Sequence, residues 1–279
     1  MEMEPWRLKL TLWGVRGSIP TPDIRCLGYG GNTTCIEIQT PDNDIVIFDA
    51  GTGIRALGTQ LQADGAAKGK HPIHIFFTHF HWDHIQGLPF FVPLFDRERS
   101  VCFYSSAYSA PLAESLEGEM SRPYFPVDLQ SAGAKQDFVD IGSNPIRVGS
   151  LTVHPFQVNH PQGACGYRIE AGGAAIVFAP DREHGHPRLD SVLREYCQDV
   201  DFLIHDAQFT LEEYTRFKGW GHSNWCEAVN AAKDCGAKHL ILFHHDPNHF
   251  DPQVTEIVNK ARCQFPDTLA AAEGWEITL

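Results

Sequence analysis

"FFTHFHWDHIQG", residues 76–87, puts three histidines and an aspartate within six positions, straight after an apolar run. Four such side chains are costly to hold together unless something takes up their charge and lone pairs. In an extended segment, residues two apart point the same way. His79 and His81 can therefore grip one ion, while Asp83 and His84 follow as the chain turns and can face a second. Imidazole and carboxylate donors suit zinc, manganese or iron. The competing reading is a polar loop of solvated histidines.

Upstream, "HPIHIFFT" (71–78) and "DIVIFDAGTG" (44–53) read as strands, the second closed by a glycine turn and followed by a helix, "IRALGTQLQA" (54–63). "LKLTLWGV" (8–15) and "TTCIEIQT" (33–40) alternate as strands do, with a Gly- and Pro-rich loop between them. Downstream, "AYSAPLAESLEGEMSR" (107–122) has helical spacing and "PYFPVDL" (123–129) is irregular. "SLTVHPFQV", "ACGYRIEA", "AAIVFAP", "VDFLIHDA" and "AKHLILFHH" are strands, and "GWEITL" is a last one. "RLDSVLREYC", "NWCEAVNAAKDCG" and "DPQVTEIVNKARCQF" are helices. The pattern predicts one α/β domain over 1–279, with sheets inside and helices outside. Residues 88–130, with "LPFFVPLF" and "RPYFPV", are apolar for a connection and fit a lid, a dimer contact, a pocket wall or plain core.

Five apolar strands run into a chemically capable residue: His79, His160, Asp181, Asp206 and His244. In α/β sheets, sites form at the carboxyl ends of strands.

The net charge of -13 disfavours a long nucleic-acid groove, because phosphate backbones need stripes of Lys and Arg. No stable nucleic-acid partner is expected. The eight cysteines show no CxxC pair, which fits free thiols in a reducing cytoplasm. No apolar run reaches 18 residues and the N-terminus lacks an apolar leader core, so neither a membrane span nor secretion is predicted.

With these residues in view, the chain resembles the metallo-β-lactamase superfamily. "HFHWDH" matches its HxHxDH signature, and "IFDAGTG" the strand and turn before it. "VNHPQGACGYRI" and "VFAPDREH" resemble the third and fourth motifs. "LIHDAQFT", "GHS" and "LFHHDP" resemble the closing elements of the phosphodiesterase branch, which includes ribonuclease Z and PhnP-type cyclic phosphodiesterases.

The resemblance implies an αββα sandwich with two divalent metal ions at its edge, zinc first, with manganese or iron as alternatives. His79, His81 and His160 would hold one ion, Asp83, His84 and His244 the other, and Asp181 would bridge them. His244 is preferred to His245 as the first residue after "LILF". Hydroxide between the ions would attack a phosphodiester, with Asp83 orienting it. His222 would be the general acid, its ring held by Asp206, where ribonuclease Z has the longer glutamate. Otherwise His222 caps the helix beginning near Ser223. Asp49 either braces a ligand histidine or starts the glycine turn. Asn32, in a glycine turn seen in relatives, and His184, with His186 at the pocket mouth, are further candidates.

Arg16 reads as a surface residue or a phosphate contact. Phe80, Trp82 and Trp220 read as core or rim residues or as stacking faces for a base. His71, His74, His154, His205 and His239 read as structural.

The substrate expected is a small phosphodiester, such as a cyclic nucleotide or another cyclic phosphate. Only residues 161–180 separate His160 from Asp181, an interval in which ribonuclease Z commonly carries a tRNA-gripping arm. The alternatives are a ribonuclease Z-like tRNA 3′-processing endonuclease, a lactonase or thioesterase of the same fold, and a non-catalytic binder on the same scaffold. Relatives of this fold often pair, so a homodimer is expected.

Overall fold

The computed structural model describes residues 8–63 and 72–279; His71 lies outside them. Along the first half run β1 (Lys9–Gly14), β2 (Cys35–Gln39), β3 (Ile45–Phe48), α1 (Gly53–Ala63), β4 (Ile73–Phe76), α2 (Trp82–Ile85), β5 (Ser100–Ser105), α3 (Leu112–Glu119) and β6 (Lys135–Asp140). Then follow β7 (Ile146–Val148), β8 (Leu151–Val158), β9 (Ala164–Ala171), β10 (Ala174–Ala179), α4 (Pro187–Tyr196), β11 (Phe202–Asp206), α5 (Leu211–Phe217), α6 (Trp225–Cys235), β12 (His239–Phe243), α7 (Asp251–Arg262), β13 (Thr268–Ala270) and β14 (Glu276–Thr278).

The strands form two sheets of seven, ordered β14-β1-β2-β3-β4-β5-β6 and β13-β12-β11-β10-β9-β8-β7. In each, one part is antiparallel and the rest parallel, the change falling at β3 and at β10. Parallel strands are covered on both faces and so read as continuous apolar runs. "IVIF" in β3 and "AAIVFA" in β10 are buried at every position.

Three apolar layers follow. Between the sheets, Phe48, Phe76, Tyr167, Phe178 and Phe243 pack with the aliphatic residues of β1, β2 and β9. The first sheet's outer face packs on Ile54, Leu57 and Leu61 of α1 and Leu112 and Leu116 of α3. The second sheet's outer face packs on Leu193 of α4, Ala228 and Ala232 of α6 and Val258 of α7. This is the αββα sandwich expected. Each large apolar side chain so buried contributes about 1.5–3 kcal/mol.

Local chemistry sets the boundaries. Asn224 caps α6, accepting from the amides of Cys226 (3.0 Å) and Glu227 (3.1 Å), and Gly236 ends the helix in the left-handed conformation. The Asn224 cap leaves His222 out of the helix terminus, so the capping role weighed for it is overturned. Gly172 and Gly173, both with positive φ, turn β9 directly into β10 as a two-residue hairpin loop, and no arm projects between His160 and Asp181.

Several elements differ from expectation. The helix expected over 107–122 is only Leu112–Glu119, entered through Pro111. β5, β6, β7, α5 and β13 were not foreseen. β6, "KQDFVD", is a half-exposed edge strand whose charged residues read as loop, and β7 and β13 span three residues each. Residues 88–130 are both core (Leu88, Phe91, Leu94, Leu129) and pocket wall (Pro89, Phe90, Tyr124, Phe125). Arg16 is neither on the surface nor free for phosphate: it is fully buried, donating to the carbonyls of Gly30 (2.8 Å), Asp246 (3.1 Å) and His249 (2.6 Å). Trp82 and Trp220 are exposed, not core. All eight cysteines are unpaired. Among the described residues, no helix is long and apolar enough to cross a membrane.

Candidate metal centre

The carboxyl ends of β4, β8, β10, β11 and β12 meet at one edge of the sandwich. They bring His79, His81 and His160 within reach of one point, and Asp83, His84, Asp181 and His244 within reach of another. His160, Asp181 and His222 form a third such group, and Asp206, His222 and His244 a fourth. His79 and His81 lie on the loop after β4, and Asp83 and His84 on the single turn of α2.

Four residues at this edge hold backbone conformations that L side chains rarely adopt: Ser18 (φ 65°), Asp49 (φ 62°), Gln162 (φ 66°) and His244 (φ 61°). Such strain is kept where the surroundings over-determine it. At His244 it ends β12 and separates two neighbours. His244 turns into the cluster, whereas His245 sends Nε2 to the carbonyl of Ala271 (2.9 Å).

The partners of each ring fix its tautomer. His84 donates from Nδ1 to Asp49 Oδ2 (2.8 Å). His160 donates from Nδ1 to the carbonyl of Gly221 (2.9 Å). His244 donates from Nδ1 to Gln208 Oε1 (2.9 Å), and His81 from Nε2 to Gln162 Oε1 (3.1 Å). Asp49 Oδ2 also accepts from the hydroxyl of Thr78, so that hydroxyl accepts from His79 Nδ1 (3.1 Å). Each ring therefore turns a lone pair inward.

Those lone pairs meet each other and the carboxylates. His81 Nδ1 faces His160 Nε2 at 3.1 Å. His244 Nε2 lies 3.1 Å from Asp83 Oδ2 and 3.2 Å from Asp181 Oδ1. His84 Nε2 and Asp181 Oδ1, 3.0 Å apart, are buried without hydrogen-bond partners, as is His79 Nε2. Acceptors facing acceptors in a buried site are unfavourable unless a cation sits among them. The donor set fits two divalent ions.

The electrostatics agree. Burial pushes the Asp83 and Asp181 carboxyls up, but the surrounding imidazoles outweigh it and hold both well below the ordinary carboxylate range. Burial opposes charge on His84, yet Asp181, Asp83 and Asp49 outweigh it, so that a proton takes its inward nitrogen when no cation does. At His160, burial dominates and lowers the pKa to about 4. Asp83 is also fixed by the backbone N–H of Ser18, which donates to Oδ2 (2.7 Å).

His222 stands at the rim. Its Nδ1 donates to Asp206 Oδ2 at 2.9 Å, so the aspartate reaches despite its short side chain. Asp206 is pinned in turn by the amides of Arg182 (3.1 Å) and Gln208 (3.0 Å). Burial opposes charge on His222, but Asp206 and Asp181 raise its pKa to about 9. Glu183 accepts from the amides of Gly219 (2.7 Å) and Gly221 (3.0 Å), holding the loop that carries His222. Glycine is required at 17 and 221: a Cβ at 17 would strike His244 Nδ1, and one at 221 would strike His160 Nδ1.

Two candidates fall outside the cluster. Asn32 donates from its side chain to Glu273 (2.9 Å), on the far side of the glycine turn. His184 packs on Tyr214 and meets Ser223 Oγ (3.3 Å), lining a neighbouring cleft with His186, whose ring caps α4. His205 is packed, with Nδ1 on the carbonyl of Asp206 (2.7 Å) and Nε2 facing Arg182. His74 pairs with the Tyr104 hydroxyl (2.8 Å), His154 lies 3.3 Å from Glu170, and His239 stacks on Phe202. Ser18, Gln162, Gln208 and Glu183 were not singled out in the sequence. Gln208 carried one usable signal, its place two residues after Asp206.

A model described as "Beta-lactamase superfamily domain" matches residues 45–245. The ribonuclease Z of Haloarcula marismortui is 25% identical over 309 residues, covering 95% of this chain and 94% of its own. The metallo-beta-lactamase fold protein YhfI from Bacillus subtilis superposes with a TM-score of 0.75 at 18% identity, covering 98% of this chain and 99% of its own. A diphosphatase from the PhnP family gives a TM-score of 0.68 at 19% identity, covering 98% of each.

Proposed function

The chain belongs to the beta-lactamase superfamily, and on that premise we propose that it is a metal-dependent hydrolase cleaving a phosphodiester bond in a small substrate, a cyclic nucleotide or another cyclic phosphate. The observation that carries the reading is the pairing of inward-facing donors with a proton-bearing histidine at their rim. His79, His81 and His160 would hold one ion, Asp83, His84 and His244 the other, with Asp181 between them. Two divalent ions supply positive charge to the phosphate oxygens and acidity to the attacking water. Zinc is the first choice, and manganese and iron suit the same donors.

The chain's own residues do the rest. Asp206 holds the His222 ring in one tautomer, with the other nitrogen free to face substrate. His222 donates the proton that the leaving oxygen needs. Glu183 holds the glycine loop so that His222 and the Gly221 carbonyl keep their places. Ser18 orients Asp83 from outside the donor set.

A small substrate is favoured by the direct β9–β10 hairpin and by the net charge of -13. The second reading, tRNA 3′-end processing, is favoured by the relative named ribonuclease Z that spans nearly the whole chain. Purified, metal-loaded protein is expected to cleave bis(p-nitrophenyl) phosphate and cyclic mononucleotides and to leave a precursor tRNA uncut. Cleavage of the tRNA alone would reverse the order of the two readings. No cleavage of any diester would turn attention to lactones and thioesters.

Metal should also stabilise the fold. Adding zinc or manganese to chelator-treated protein at about a hundredfold excess over Kd should contribute about 2.7 kcal/mol. For a chain of this size, that raises Tm by roughly 5 °C. A thermal melt unchanged by every divalent metal would count against the ion sites.

A further inference from the structure

Beside the cluster lies a cavity of about 860 Å³, and its wall includes His79, His81, Phe80 and Trp82. The cleft over Asp83, Asp181 and His222 shares Phe80, His81 and Trp82 with it, so the two spaces adjoin. Phe90, Tyr124 and Phe125 complete an aromatic wall. Trp82 and Tyr124 are 78% and 79% exposed, as is more than half of Phe90. Several large rings left in water around one hollow mark a place for an apolar or planar group.

One wall residue differs in kind. Glu119, at the end of α3, lines this cavity, and its Oε2 is buried without a hydrogen-bond partner. Burial alone raises its carboxyl to about 7. A lone buried acceptor costs stability, and removing it would improve the core. Kept beside an aromatic wall, the carboxylate marks a place where a ligand's donor would be taken up.

Resting on the phosphodiesterase reading above, we infer that this cavity holds the organic part of the substrate, a planar nitrogen heterocycle whose exocyclic amino group donates to Glu119 while its face stacks on the aromatic wall. The aromatic faces accept any base. Glu119 adds the choice when ionised, above the pH of about 7 to which burial raises it: an amino group then donates to it, whereas a ring without that group leaves it unpaired.

The test compares adenosine 5′-monophosphate with purine riboside 5′-monophosphate, which carries hydrogen in place of the amino group on the same ring. Neither carries a diester, so calorimetry on the metal-loaded protein, run at a pH above 7 where Glu119 is ionised, reads binding without turnover. Adenosine monophosphate should bind about tenfold more tightly, the size of one charge-assisted hydrogen bond. The difference should vanish in Glu119→Leu and persist in part in Glu119→Gln. Equal binding of the two nucleotides to the native protein would overturn the inference, as would a preference that survives Glu119→Leu. Hydrolysis of bis(p-nitrophenyl) phosphate, measured alongside, separates the two ideas. Cleavage without base preference removes the role of Glu119 and leaves the phosphodiesterase reading standing. A base preference without cleavage removes that reading and leaves the pocket.

Discussion

Asp181→Ala is expected to abolish diester hydrolysis and to lower the metal content of the purified protein. Asp181 follows β10, almost fully buried, and its two oxygens face different histidines. Oδ1 lies 3.0 Å from His84 Nε2 and 3.2 Å from His244 Nε2. Oδ2 lies 3.8 Å from His79 Nε2 and 3.9 Å from His160 Nε2. Among the described residues, no other carboxylate reaches both histidine groups, so its loss removes the negative charge common to them. Losing a partner that only orients a ligand costs about 10–100-fold. The loss here should exceed the upper end of that range in kcat/KM, with elemental analysis showing fewer than two ions per chain. Near-native turnover with two ions retained would exclude the bridging position.

His222→Ala should separate chemistry from metal binding. His222 contacts the cluster from its rim, and its ring is oriented by Asp206 without being needed to complete either of the two main donor groups. Losing a general acid typically costs about 10²–10⁴-fold. kcat should fall by that factor while metal content stays native. The fall should be smaller for bis(p-nitrophenyl) phosphate, whose leaving group departs as a stable anion, than for an alkyl leaving group. An equal loss on both substrates would make His222 a substrate-binding residue and remove its role as the acid.

Much of the centre was legible because donors at strand ends leave a local mark. His79, His81, Asp83 and His84 lie within six positions, and His160, Asp181, Asp206 and His244 each follow an apolar strand. The residues that hold these rings left no such mark. Gln208 and Gln162 look like ordinary polar loop residues until the fold brings them to His244 and His81. Arg16 read as a surface side chain because its three carbonyl partners come from two distant loops. Asn32 is the reverse: its turn looked close to the site, yet Glu273, near the other end of the chain, holds its amide. In the fold, the buried strands were readable from their apolar runs, whereas β6 on an open edge has the composition of a loop.

The two sheets also divide the chain almost cleanly. The first takes the strands from Lys9 to Asp140 plus β14, and the second takes those from Ile146 to Ala270. The inward-facing donors come from both: His79, His81, Asp83 and His84 from the first part, and His160, Asp181 and His244 from the second. Of the two main donor groups, His79, His81 and His160 and Asp83, His84, Asp181 and His244, neither lies within one half. A cation seated there would act as a rivet through the seam of the sandwich, so that closing the fold and filling the site become one event.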